Sequence, residues 1–203
     1  MLNLRVRPAL ARVVDPVATA LLRAGVSPDA ITVAGTLGAV LGALVFFPQG
    51  MFFTGTAIVF FCVLTDLLDG AMARRLGRTS RFGAWLDSTC DRVADSAIFS
   101  GVALWYLGDG DSTLLGGVAL FCLVAGSTVS YAKARAEGLG MTCDVGLAER
   151  AERLIVVLLG TLLVGLGLDG ALPVCLWVLA AATAITVVQR LVEVRRQAAL
   201  PLP

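Results

Sequence analysis

The chain has 203 residues, of which 58% are hydrophobic and only 15% charged, with a mean hydropathy of +0.87. A soluble domain carries about 25% charged residues, so this composition excludes an ordinary soluble enzyme and points to an integral membrane protein. The net charge of +1 offers no overall basic surface to nucleic acid, and the lack of histidine excludes histidine catalysis and histidine-ligated metals.

Residues 3–24 alternate Arg5, Arg12 and Arg23 with Leu4, Leu10, Val13, Val14, Val17 and Leu21. The pattern predicts an amphipathic helix lying in the membrane interface. It lacks the continuous apolar run of a signal peptide, and a disordered tail conflicts with its apolar content. Ser27-Pro28 then starts a new helix. Six apolar spans follow. The first covers 31–47 and closes at Pro48-Gln49-Gly50. The second covers 52–68 and continues as a helix through a pair of aspartates to a break at Gly77-Arg78-Thr79-Ser80. The third covers 82–107, the fourth 114–131, the fifth 154–168 and the sixth 172–188, which runs on as a helix to Arg196. Gly35, Gly38 and Gly42 nearly align on the first span, which permits a close helix contact within the chain or between copies. The five cysteines, Cys62, Cys90, Cys122, Cys143 and Cys175, form no CxxC pair and read as reduced structural thiols.

The expected fold is therefore an all-α integral membrane protein, one domain over 1–203, with an interfacial helix in 1–27 and six transmembrane helices in 28–197. All 16 Lys and Arg fall in the N-terminal segment, the connection between spans two and three with its helix ends, the polar segment 133–153, and the C-terminal end. The other connections hold only Asp109, Asp111 and Asp169. The positive-inside rule then puts both termini on the cytoplasmic side of the cell membrane.

The stretch 66–91 carries the chemistry. Asp66 and Asp69 point within about 60° of each other on a helix, and Asp87 and Asp91 within about 40°. Four carboxylates at the membrane edge repel one another unless paired or metal-bound. Oxygen ligands favour Mg2+, Mn2+ or Ca2+, and four of them can hold two ions. Gly70, Ala73 and Gly83 leave room beside the carboxylates, while Arg74, Ser80 and Arg81 supply phosphate-binding groups. Metals, arginines and a small-residue cleft together suit diphosphate chemistry.

The pattern Asp66-x2-Asp69-Gly70-x2-Ala73-Arg74-x8-Gly83-x3-Asp87-x3-Asp91 resembles the signature of the CDP-alcohol phosphotransferase family at every position. The resemblance extends over essentially the whole chain. It implies a membrane enzyme that transfers the phosphatidyl group of CDP-diacylglycerol to an alcohol and releases CMP. It further implies that Asp66, Asp69, Asp87 and Asp91 bind two divalent ions, Mg2+ or Mn2+, with Asp91 also the general base. Gly70, Arg74 and Ser80 are implied to touch the CDP moiety. The element Asp29-Ala30-Ile31-Thr32 resembles the family's second nucleotide-binding stretch, with Asp29 in place of the usual Asn. A homodimer and membrane lipids as partners are implied in the same way.

A second basic constellation comprises Lys133, Arg135, Arg150, Arg153, Arg190 and Arg195. Arg135, Arg195 and Arg196 suit anionic lipid headgroups. Arg153 and Arg190 are embedded in apolar helical sequence, where a cation is expected to face the protein interior or a wet cavity. With Lys133 they are the expected site for a phosphate on the acceptor. The stretches 130–137 and 149–154 resemble the actinobacterial branch that uses inositol phosphate. The implied products are phosphatidylinositol phosphate and CMP, with glycerol 3-phosphate as the alternative acceptor. Asp95 has two open readings, a helix-packing ion pair with a buried arginine or a site residue. A membrane prenyltransferase and a cation transporter are the rival classes. The first spaces its aspartates differently, and the second sets its site near the bilayer midplane on interrupted helices.

Overall fold

The computed structural model describes residues 14–76 and 80–199. Residues 1–13 of the expected interfacial helix, with Arg5, Arg7 and Arg12, lie outside the described residues, as do Gly77, Arg78 and Thr79. Among the described residues the regular structure is entirely helical. We number the helices α1 (14–23), α2 (Pro28–Leu41), α3 (Phe52–Arg75), α4 (Arg81–Leu107), α5 (Thr113–Glu137), α6 (Arg150–Gly165) and α7 (Ala171–Ala198). They fall into two compact units, residues 14–42 with 57–94 and residues 43–56 with 95–199. Helices α3 and α4 each contribute to both.

In the first unit, α1 docks onto α3. Ala18 is buried against Ala71 and Met72, and Val14, Leu21, Leu22 and Ile31 pack around them. Arg75 reinforces the contact, reaching Asp15 at 3.2 Å and donating to the Thr19 hydroxyl. Helix α2 starts as Ser27-Pro28 predicts, with the Ser27 hydroxyl accepting from the Ala30 N–H at 3.2 Å. The glycine stripe of α2 faces α3. A Cβ on Gly35 would stand 2.0 Å from Thr65 Oγ1, one on Gly38 2.5 Å from Cys62 Sγ, and one on Gly42 2.7 Å from Ile58 Cγ2. The stripe is thus used within the chain.

Helix α2 does not end at Leu41 but widens into a π-helical turn over Gly42–Phe46 and then a 3-10 turn over Phe47–Gln49. Pro48 accounts for the change. It lacks an N–H, and its ring would clash with the Leu44 carbonyl in a regular α-helix. In the second unit, Phe47 stacks on Phe52 and Phe52 meets Trp105 edge-on, with centroids 5.7 and 5.4 Å apart. Gly101 of α4 approaches the Ala43 carbonyl so closely that a Cβ would lie 2.4 Å from it. Helices α5, α6 and α7 pack together, and Thr56 donates to Thr161 at 2.7 Å in the interior.

Among the described residues, four helical segments are long and apolar enough to cross a membrane, Pro28–Gln49, Phe52–Arg75, Thr113–Glu137 and Ala171–Ala198. Only 28–39% of their apolar windows is buried, so most of that surface is left for an apolar solvent. The other two expected spans fall short for different reasons. Helix α4 carries Arg81, Asp87, Asp91, Arg92 and Asp95 between its start and its middle turn. Helix α6 has 16 residues, about 24 Å at 1.5 Å per residue, against a hydrocarbon thickness of about 30 Å.

Candidate active site

A cleft of about 270 Å³ opens in the first unit between α2, α3 and the start of α4. Its lining has the same spacing on each helix: Pro28, Asp29 and Thr32 from α2; Asp69, Gly70, Ala73 and Arg74 from α3; Gly83, Ala84 and Asp87 from α4. Positions i, i+1 and i+4 share one helix face, so three local patterns supply three walls. Ser80 completes the lining from just before α4 and caps that helix, its hydroxyl accepting from the Gly83 N–H at 2.8 Å. The Ser80 proton is left to donate elsewhere.

Asp69 is the buried member, 8% exposed. Thr32, itself 6% exposed, donates its hydroxyl proton to Asp69 Oδ2 across 2.5 Å. The same hydroxyl lies 3.2 Å from the Pro28 carbonyl, but its single proton goes to the nearer, charged acceptor. Asp66 and Asp87 are close enough to repel the Asp69 charge. The glycines have specific tasks. A Cβ on Gly70 would lie 3.3 Å from Arg74 Nη1, and one on Gly83 would lie 3.0 Å from Ser80 Oγ and 3.5 Å from Asp29 Oδ1. Gly70 leaves space beside the Arg74 guanidinium, and Gly83 leaves space beside the Ser80 hydroxyl.

The cleft therefore gathers Asp29, Thr32, Asp69, Gly70, Arg74, Ser80 and Asp87 of the expected site. It does not gather the rest. Asp66 and Asp91 are not lining residues, and Asp91 Oδ2 lies 3.8 Å from Arg92 Nη2. Ala30 spends its N–H on the Ser27 cap, Ile31 packs with Ala18, Ala71 and Met72, and Arg81 is exposed at the start of α4. Among the described residues, no three carboxylates or thiols close on a common point as a metal shell. The chemistry of the donors nevertheless suits a hard divalent cation. Three carboxylates face one guanidinium in the cleft, so a diphosphate entering it would be repelled unless cations came with it.

The second constellation lies in the second unit, and Lys133, Arg150, Arg153 and Arg190 each meet a protein partner. Lys133 Nζ meets Asp144 Oδ1 at 2.5 Å and Glu137 at 3.8 Å. Arg153, 2% exposed, reaches Asp95 at 3.4 Å and the Ala148 carbonyl at 3.0 Å. Arg190, 3% exposed, donates to the Val145 carbonyl at 3.0 Å, the Val129 carbonyl at 2.5 Å and Glu149 at 3.3 Å. Its contact with Val145 is one of several that fix the segment 138–149. Thr186 accepts from the Leu147 and Ala148 N–H groups, and Gln197 bonds both backbone groups of Thr142. Arg135, Arg195 and Arg196 are exposed, as expected of headgroup-facing charges.

The sequence profile of the CDP-alcohol phosphatidyltransferase family matches residues 25–189, which include the stretch 66–91 with Lys133 and Arg153. The chain belongs to this family. It is 52% identical over 206 residues to a phosphatidylinositol phosphate synthase of Streptomyces avermitilis, covering 98% of this chain and 84% of that relative. It is 49% identical over 198 residues to a phosphatidylinositol phosphate synthase of Cutibacterium acnes, covering 94% of this chain and 96% of the relative. Among solved structures, the phosphatidylinositol phosphate synthase of Mycobacterium tuberculosis with CDP-DAG bound matches with a TM-score of 0.90 at 45% identity, covering 95% of this chain and 100% of that one. The same enzyme in complex with manganese and citrate matches with a TM-score of 0.85 at 44% identity, covering 94% and 93%.

Family membership makes the chain a transferase of phospholipid biosynthesis. Several residues that shape this transferase carry little sequence signal. Asp144, Thr186 and Gln197 belong to no motif, and the only hint at Asp144 is the alternation of acids and bases over 144–153. Asp95 forms ion pairs with two arginines, Arg150 at 3.3 Å and Arg153 at 3.4 Å.

Proposed function

We propose that this transferase moves the phosphatidyl group of CDP-diacylglycerol to inositol phosphate, giving phosphatidylinositol phosphate and CMP. One observation carries the reading. Asp69, Gly70, Arg74, Ser80 and Asp87, five positions of 66–91, line one cleft together with Asp29 and Thr32. The names of relatives at about half identity support the acceptor. Arg74 and the Ser80 hydroxyl are the donors for the diphosphate, and Asp29 faces the nucleotide side with Ala30 and Ile31 behind it. The acceptor phosphate is held by Lys133, Arg153 and Arg190, which must exchange part of their present carboxylate and carbonyl contacts for it. Asp91 takes the proton of the attacking hydroxyl. The hydroxyl oxygen bonds to the phosphatidyl phosphorus, the bond from that phosphorus to the bridging oxygen breaks, and CMP leaves with the electron pair.

Asp66, Asp69, Asp87 and Asp91 are the residues to hold divalent cations, which we read as two Mg2+ or Mn2+ ions; a structural neighbour is a manganese complex. When bound, such ions supply neutralisation of the diphosphate and the leaving group.

We read the whole chain as one catalytic domain with six spans. α4 and α6 join the four long apolar helices, because Leu104, Leu107, Ile155 and Leu159 turn outward. The distribution of Lys and Arg supports cytoplasmic termini and a cytoplasmic active site in the cell membrane. The resemblance supports a homodimer.

The test is CMP release by the purified protein in CDP-diacylglycerol micelles, offered inositol phosphate, glycerol 3-phosphate, inositol or serine separately. Release with inositol phosphate is expected. Preference for glycerol 3-phosphate overturns the acceptor while leaving the family intact.

A further inference from the structure

Segment 138–149 joins α5 to α6 without regular structure, yet its backbone is fixed along its length. Gln197 bonds both backbone groups of Thr142, Arg190 donates to the Val145 carbonyl at 3.0 Å, and Thr186 accepts from the Leu147 and Ala148 N–H groups. Cys143 is fully buried, and a Cβ on Gly146 would stand 2.5 Å from Thr186 Cγ2, so the segment lies tight against α7. The Asp144 side chain sits among these anchors but differs from them. It keeps 73% of its surface open, and its Oδ1 lies 2.5 Å from Lys133 Nζ. The carboxylate therefore stands where an oxyanion bound to Lys133 would place an oxygen. The other carboxylate on Lys133, Glu137 at 3.8 Å, belongs to the same helix. Asp144 comes to the ammonium from outside α5, carried by the fixed segment.

We propose that Asp144 is a tethered competitor for the acceptor phosphate. It holds Lys133, yields it to the phosphate, and takes it back as the lipid product leaves. The inference rests on the acceptor reading above. Transfer to a hydroxyl leaves the acceptor's own phosphate in place, so the product carries the same dianion that met Lys133. A cation that grips this phosphate equally in acceptor and product slows release, the step that limits turnover in many enzymes. A carboxylate waiting beside the ammonium relieves that grip. The geometry suits the exchange. An exposed ion pair is worth a factor of only about two to five in an equilibrium. Asp144 can leave Lys133 by turning its side chain away, while Cys143 and the anchored backbone stay where they are. A phosphate brings more charge and more oxygens to the ammonium than the carboxylate does.

The test is Asp144→Asn in the purified full chain, read by the KM for the phosphorylated acceptor and by inhibition with inorganic phosphate. Both the KM and the inhibition constant are expected to fall about two- to fivefold, with the thermal midpoint and the KM for CDP-diacylglycerol near wild type. An acceptor KM that is unchanged or raised overturns the proposal, a rise meaning that Asp144 positions Lys133 or binds the acceptor itself. A fall in the KM with no matching fall for inorganic phosphate overturns it too, because the competition is then not for the phosphate. Lys133→Gln separates the proposal from the reading beneath it. That variant is expected to raise both constants. If it leaves them unchanged, Lys133 is no part of the acceptor site, and the reading of Lys133 and the proposal fail together. If it raises them while Asp144→Asn lowers neither, only the proposal fails. The KM is measured with whichever phosphorylated acceptor the wild type turns over. A wild type preferring glycerol 3-phosphate thus overturns the inositol phosphate reading and still tests Asp144, and one preferring free inositol or serine overturns both.

Discussion

Thr32 belongs to a nucleotide-binding stretch by resemblance, yet its hydroxyl is spent on Asp69 at 2.5 Å, with both residues nearly inaccessible to water. Replacing Thr32 with Val keeps the shape and deletes only that donor. A hydrogen bond to a charged group is worth about 1.5–3 kcal/mol. At about 1.36 kcal/mol per factor of ten, an Asp69 carboxylate that must be reoriented before holding a cation should bind it about 10- to 150-fold more weakly. The assay is CMP release as a function of Mn2+ or Mg2+ concentration at saturating lipid and acceptor. Thr32→Val is expected to raise the half-saturating metal concentration by that factor, while activity at high metal largely recovers. Thr32→Ser, which restores the donor, should return the titration towards wild type. If Thr32→Val titrates like wild type, Asp69 is either not a metal ligand or not oriented by Thr32, and the reasoning fails. A change confined to the CDP-diacylglycerol KM refutes it in another way, by making Thr32 a direct lipid contact.

Asp91→Asn should lose turnover and keep CDP-diacylglycerol binding, measured by CMP release and by equilibrium binding of the lipid; normal turnover in that variant removes the general base. Gly35→Ala should lower stability by about 1–3 kcal/mol, because its methyl would meet both Thr65 Oγ1 and, at 3.1 Å, the Cys62 carbonyl, which cannot turn away. Gly117→Ala, which meets nothing within 4 Å, is the control, and equal thermal midpoints for the two variants would contradict the α2–α3 contact. The Lys133 ammonium beside Asp144 holds that carboxyl below the usual carboxylate range. A depressed carboxylate contributes above its ordinary value near 3.9 and is lost only as pH falls through the lower folded value. Asp144→Asn should therefore change the acceptor KM by the same factor at pH 6 and pH 8, and a factor that differs between them refutes the pairing.

What could be read from the sequence divides along a physical line. Helix positions were legible because apolar runs between Gly, Pro and Asp breakers are local signals, and six of the seven helices lie within a few residues of the expected spans. The cleft walls were legible for the same reason: Asp69, Gly70, Ala73 and Arg74 share a face of α3 whatever α3 packs against. The π turn over Gly42–Phe46 was not legible, because a proline in a helical run can end, kink or widen it, and the choice depends on what surrounds Phe47. Small residues beside the aspartates were read as room for a ligand, whereas Gly70 and Gly83 first make room for Arg74, Ser80 and Asp29. Charge pairing was the least legible, since it is decided by docking rather than by period. Asp95 finds arginines 55 and 58 residues away. Arg153 and Arg135 both sit near a helix end beside alanine and glutamate, and only the apolar run that follows Arg153 sets it apart in the sequence. Burial separates them. A guanidinium held 2% exposed by a carboxylate it shares with a second arginine is retained against its desolvation cost. A headgroup-facing arginine in a membrane protein meets no such cost, so what separates the two is what each helix docks against.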